Sequence, residues 1–133
     1  PCHAAGILGC FRRLRKDCKL FAAVDAKDLE KTLATLTTDC SITVETAGVR
    51  HHGRDDEIRK MFEGLFERFD TTWHGDFRHV VDEEAGLIAS QFTVRNRTPD
   101  GTRQEKYNCN FFRIERGQLS AISVYMMGPN TLT

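Results

Sequence analysis

Four stretches of the chain hold residue types that can move a proton or polarise a carbonyl. The first is Thr72-Trp73-His74-Gly75-Asp76. An imidazole titrates near neutrality and can take or give a proton. In an extended segment Asp76 falls two residues on and shares its face, where a carboxylate can orient or pair with the ring. The second stretch holds Asn108 and Asn110, amides that alternate between apolar neighbours. A buried amide left without a hydrogen bond costs about 1–3 kcal/mol, so each calls for a partner. A ligand carbonyl or hydroxyl is one, with Asn110 then acting as donor to a developing enolate. The third is His51-His52 before Gly53-Arg54, of which at most one faces a pocket, because adjacent strand residues point opposite ways. The fourth is Glu45, a natural general base beside His74 only if a bulge turns it inward.

Other chemistries lack their signatures. The sequence has no Ser-His-Asp arrangement, glycine-rich phosphate loop or HExxH pattern. Its histidines lack metal-ligand spacing, so neither a metal nor a cofactor is expected. Five cysteines, Cys2, Cys10, Cys18, Cys40 and Cys109, are an odd number without a CxxC pair. They predict reduced, mostly buried thiols in a cytoplasmic protein. Lys plus Arg and Asp plus Glu both number 19. A nucleic-acid binder gathers a basic excess, so that class is set aside. The apolar stretch from Ala4 to Phe11 is too short to span a bilayer, and no membrane partner is expected. The sequence opens at Pro1, and a leader removed before it would leave no trace.

At 133 residues the chain fits one domain, residues 1–133, long enough to bury a core without staples. Three amphipathic helices come early. Ile7, Leu8, Phe11, Leu14, Cys18, Phe21 and Val24 recur at three- and four-residue spacings. A second helix starts near Asp28 with Leu29, Leu33 and Leu36 on one side. A third follows Gly53, with Asp55, Asp56 and Glu57 at its N-terminus and Ile58, Phe62, Leu65, Phe66 and Phe69 along its apolar face. Residues 40–46 and 49–52 read as short strands. Beyond Phe69 the period becomes two, predicting strands at about 72–82, 87–98, 103–115 and 119–127 with turn residues between them. The sets containing Phe92, Phe112 and Ile122 are assigned to the helix-covered face. Tyr107, Phe111 and Tyr125 are left outside, where large aromatics suggest a second sheet and hence a homodimer.

This order of elements resembles the SnoaL-like branch of the nuclear transport factor 2-like superfamily. The residues that carry the resemblance are Val24-Asp25-Ala26-Lys27-Asp28-Leu29-Glu30, Asp39-Cys40-Ser41-Ile42-Thr43-Val44, Gly53-Arg54-Asp55-Asp56-Glu57-Ile58 and Phe112-Arg113-Ile114-Glu115-Arg116-Gly117-Gln118-Leu119. The resemblance implies an α+β fold: a cone-shaped, curved, largely antiparallel sheet of five to six strands, with the three helices of the N-terminal half on its concave face. It also implies a pocket between helices and sheet. Relatives include ketosteroid isomerases, polyketide cyclases and scytalone dehydratases, the last presenting a pocket histidine in a segment similar to Thr72-Trp73-His74. The ketosteroid isomerase base matches Val44, its oxyanion tyrosine matches Leu20, and its hydrogen-bonding aspartic acid matches Asn110. The cyclase aspartate matches Val124. Those substitutions argue against either mechanism in its familiar form.

Together these readings predict an isomerase, cyclase or dehydratase that works by acid/base proton transfer on a hydrophobic, oxygenated small molecule of polyketide, terpenoid or steroid kind. His74, Asp76 and Asn110 are its expected catalytic residues. Asn108, His51, Phe62, Phe92, Phe112, Ile122, Val124 and Met126 are its expected pocket. The alternative is a non-catalytic ligand-binding or subunit-association module, favoured by the loss of both familiar bases.

Overall fold

The computed structural model describes residues 16–133. The first half of the first predicted helix, with Cys2 and Cys10, lies outside the described residues.

Helix α1 is described over residues 16–25 and α2 is Leu29–Ala34. The Asp28 side chain caps α2 by accepting from the Lys31 N–H at 3.0 Å. Strand β1 is Leu36–Val44 and β2 is Val49–His52. Gly53–Ile58 then forms a π-helical turn leading into α3, Arg59–Arg68. Gly53 sits at φ +91°, a left-handed conformation that suits glycine at this corner. Asp55 and Asp56 occupy the first turn, as the charge pattern predicts. Strands β3 (Thr71–Asp82), β4 (Leu87–Arg97), β5 (Arg103–Glu115) and β6 (Gln118–Tyr125) complete the chain.

The strands form one sheet in the order β2-β1-β6-β5-β4-β3. The meander β3 to β6 is antiparallel, as its short connections require, whereas β1 runs parallel to β6. Leu36, expected on the second helix, instead opens β1. A run of β-branched Thr35, Thr37 and Thr38 favours extended backbone there, and β1 bulges against β6 between Leu36 and Ser41. Phe69 ends α3 in an extended conformation rather than continuing its apolar face.

The core lies between the helices and one face of the sheet, where Phe92, Phe112 and Ile122 are buried as alternation predicts. Phe21 from α1 packs there against Phe92 and edge-on against Phe112. Tyr107, Phe111 and Tyr125 are 45–59% exposed on the opposite face.

Strand β3 breaks its own alternation. Its pairing with β4 shifts between Gly75 and Arg78, and Asp76 takes φ +55° in the bulge. The extra residue turns Phe77 and His79 inward, where Phe77 meets Phe21 at 5.2 Å between ring centroids. The bulge is also where Trp73 folds over Gly75: a Cβ on Gly75 would lie 2.2 Å from the indole. The Arg95 guanidinium covers the same ring at 4.7 Å from its centroid.

Candidate functional site

A cavity of about 60 Å³ opens between α1, α3 and the inner face of the sheet. That is several times the roughly 10–15 Å³ one water needs. Its walls are mostly apolar. Leu20, Phe21 and Val24 come from α1, Met61, Phe62 and Leu65 from α3, and Phe92, Ile122, Val124 and Met126 from the sheet side. Six polar side chains interrupt them: Thr72, His74, Asn96, Asn108, Asn110 and Thr131.

His74 is the only one of these with an imidazole ring. Its ring lies against Phe21 at 4.7 Å and Phe92 at 5.7 Å between centroids. Nδ1 meets Asp25 Oδ1 at 2.6 Å, while the His74 backbone N–H donates to Asp25 Oδ2 at 2.9 Å. One carboxylate thus grips both ring and main chain. Because a carboxylate only accepts, Nδ1 carries the hydrogen of this bond, and in the neutral ring the lone pair is then on Nε2. Asp25 is the last residue of α1, and the chain just beyond is pinned as well: Lys27 Nζ donates to the Phe69 carbonyl at 3.0 Å. This ties the end of α1 to the approach to β3.

Asp76, expected as the partner of His74, does not fill that role. The bulge turns it outward, and it is exposed. Alternation from His74 fails there because the strand holds one residue more than its neighbour. Asp25 was missed: its contact with His74 spans 49 residues and no local spacing reveals it.

Asn110 faces the cavity, and its buried Oδ1 has no hydrogen-bond partner among the described residues. A ligand hydroxyl would satisfy that oxygen, and a half-turn of the amide would instead present Nδ2 to a ligand carbonyl. Asn108 also lines the cavity, but its Oδ1 accepts the Met127 N–H at 3.2 Å. Thr72 and Asn96 are further wall residues. Thr72 Oγ1 donates to Asn96 Oδ1 at 2.6 Å, and Asn96 Nδ2 donates to Gln104. Extending the inner sets of β3 and β4 by one step would have found both.

Phe62, Phe92, Ile122, Val124 and Met126 line the cavity. Phe112 does not: it is wholly buried behind the wall, where it supports Phe21. His51 is not a wall residue either, because its Nε2 pairs with the Leu132 carbonyl at 2.8 Å. It holds in place the segment after β6, from which Thr131 and Leu132 reach the cavity. Glu45 is exposed just beyond β1 and takes no part.

A second polar cluster lies elsewhere under the helices. Ser90 Oγ donates to Asp17 Oδ2 at 2.8 Å and meets His79 Nδ1 at 2.7 Å, with His79 Nδ1 3.4 Å from the same carboxylate oxygen. Burial pushes the Asp17 carboxyl above its ordinary range, only partly opposed by Ser90, His79 and the Cys18 N–H. Ser90 is wholly buried, and the cluster joins α1 to β3 and β4 rather than lining the cavity.

Among the described residues no helix is long and apolar enough to cross a membrane. No curated protein matches the chain. Several solved structures share its fold. A proposed polyketide cyclase of Xanthomonas campestris pv. campestris superposes with a TM-score of 0.75 at 17% identity, covering 86% of this chain and 89% of its own. AusH of Aspergillus nidulans gives 0.77 at 16% identity, over 90% and 86%. A nuclear transport factor 2-like protein of Burkholderia pseudomallei K96243 gives 0.75 at 16% identity, over 87% and 91%. At such identities the likeness is one of fold. The family model for the SnoaL-like domain matches residues 19–122, a span that contains Asp25, His74 and Asn110, and the chain therefore belongs to the SnoaL-like domain family.

Proposed function

We propose that the protein is an enzyme that moves protons on a hydrophobic, oxygenated small molecule of polyketide, terpenoid or steroid kind, by isomerisation, cyclisation or dehydration. One observation carries this reading: an imidazole held at Nδ1 by a carboxylate, on the wall of an apolar cavity that also holds an unpartnered amide oxygen.

In this reading His74 Nε2 removes a proton from carbon next to a ligand carbonyl, or returns one to a leaving hydroxyl. Asp25 fixes the ring's tautomer and stabilises the imidazolium that forms, acting as a positioning residue. Asn110 meets the enolic oxygen. The apolar walls exclude water, so each of these contacts counts for more than it would in solvent. No metal or cofactor enters these steps.

The test is a screen of bicyclic and tricyclic enolisable ketones and β-hydroxy ketones by ultraviolet absorbance, wild type beside His74→Gln. The expected result is at least one substrate whose turnover falls about 10²–10⁴-fold in the variant. Equal rates in the two proteins would remove His74 from the mechanism.

A binding module is the second reading, favoured by Val44 and Val124 standing where relatives carry acids and by Thr131 and Leu132 reaching into the cavity. In that case the screen yields ligands and no turnover. The exposed aromatics of the outer sheet face further support a homodimer, and the free thiols of Cys18, Cys40 and Cys109 support a reducing, cytoplasmic setting.

A further inference from the structure

Lys106 is the least expected residue on the inner face of the sheet. It lies on β5 two positions before Asn108 and opposite Val94 of β4, both of which line the cavity. It is only 2% exposed, yet no carboxylate among the described residues lies within 4 Å of its ammonium. Burial pushes its pKa down. Among the described residues its ammonium makes one hydrogen bond, to the Pro129 carbonyl, and Gly128 passes beside Nζ. An ammonium has three protons to donate, so two are left without an acceptor among the described residues.

The chain beyond β6 passes over the Lys106 ammonium at Gly128 and Pro129. The segment 127–132 follows β6 and makes no ladder with the sheet. It is held by Lys106 at Pro129, by Arg68 at the Thr131 carbonyl, by His51 at the Leu132 carbonyl and by Asn108 at the Met127 N–H. Three of these four ties pair a cation, or a group that becomes one, with a neutral carbonyl. A carboxylate is a better partner for each of those donors than a carbonyl is.

We propose that Lys106 binds a carboxylate on the cavity's ligand, which displaces the Pro129 carbonyl and releases segment 127–132. The acid group then sits at the rim, and the ligand's apolar body runs past Asn108 toward Asn110 and His74. This rests on the reading of the cavity as a ligand site and not on proton transfer by His74. It makes Lys106 a specificity residue, with acids selected over the corresponding neutral molecules.

The probes are 2-naphthoate and 2-naphthol, which share a ring system and differ in the acid group, titrated calorimetrically at pH 7. Wild type should bind naphthoate at least about tenfold more tightly than Lys106→Met does, with Lys106→Arg intermediate. Naphthol should bind both proteins within about twofold. 2-Naphthoate has no enolisable carbon, so these titrations test Lys106 apart from proton transfer by His74, and turnover plays no part in their outcome. Hydrogen exchange on the wild-type protein supplies a readout independent of any variant's folding: amides 127–132 should exchange faster with naphthoate bound. Equal naphthoate affinity in wild type and Lys106→Met, no naphthoate binding by wild type, or unchanged exchange in 127–132 would each overturn the proposal.

Discussion

At the scale of single residues, the reactivity of His74 depends on what holds it. Asp25 accepts from both the ring and the main chain of His74, so its second oxygen fixes the backbone from which the imidazole swings. Asp25→Asn keeps the shape and removes the charge, and the amide can present its N–H to Nδ1 and favour the wrong tautomer. Turnover should fall about 10²-fold or more with KM little changed, measured by steady-state kinetics on a substrate found by the screen. His74 and Asn110 were legible in the sequence because residue type and alternation place them. Asp25 was not, since only the docking of α1 against β3 brings it near. Asp76 misled for a local reason, the extra residue at the bulge. Gly75 belongs to the same corner, and Gly75→Ala would force the indole of Trp73 off both the glycine and Arg95. A loss of about 1–3 kcal/mol is expected, read by denaturant unfolding.

At the scale of elements, α1 is fastened to the sheet at two polar points, Asp25 with His74 and Asp17 with Ser90 and His79. The second carries a pH signature. Burial raises the Asp17 carboxyl above 3.8, so the folded protein holds that proton more tightly than the unfolded chain does. Protonation therefore stabilises the fold: wild type should gain on Asp17→Asn as pH falls from 7 toward 4, by at most about 1.4 kcal/mol per pH unit. Thermal melts of the two proteins across that range check the sign, and a difference that moves the opposite way would contradict it. The helices and the β3–β6 meander were legible because their periods and turn residues are local. The pairing of β1 with β6 was not, because no short connection announces it, and the threonine-rich junction hid where α2 yields to β1.

At the scale of the molecule, the SnoaL-like scaffold places an apolar cavity between α1, α3 and a six-stranded sheet. Its outer face carries Trp73, Tyr107, Phe111 and Tyr125, each more than a third exposed, with Phe111 and Tyr125 edge to face at 6.0 Å. If two such faces meet in a homodimer, Phe111→Lys should shift the molecular mass measured by light scattering from dimer to monomer while the circular dichroism spectrum stays unchanged. A wild-type monomer at micromolar concentration would contradict that reading. The sequence pointed to this face through alternation alone, whereas the covering of the cavity by segment 127–132 followed from no pattern in it.

Proton transfer at His74 is the central claim, and it can be measured before any natural substrate is known. Nuclear magnetic resonance in deuterated water follows exchange of the carbon-bound protons next to the carbonyl of a bicyclic 1,3-diketone. Wild type should accelerate that exchange, and His74→Gln should bring it back to the rate without protein. Exchange that is no faster with wild type, or equally fast with the variant, would contradict the account.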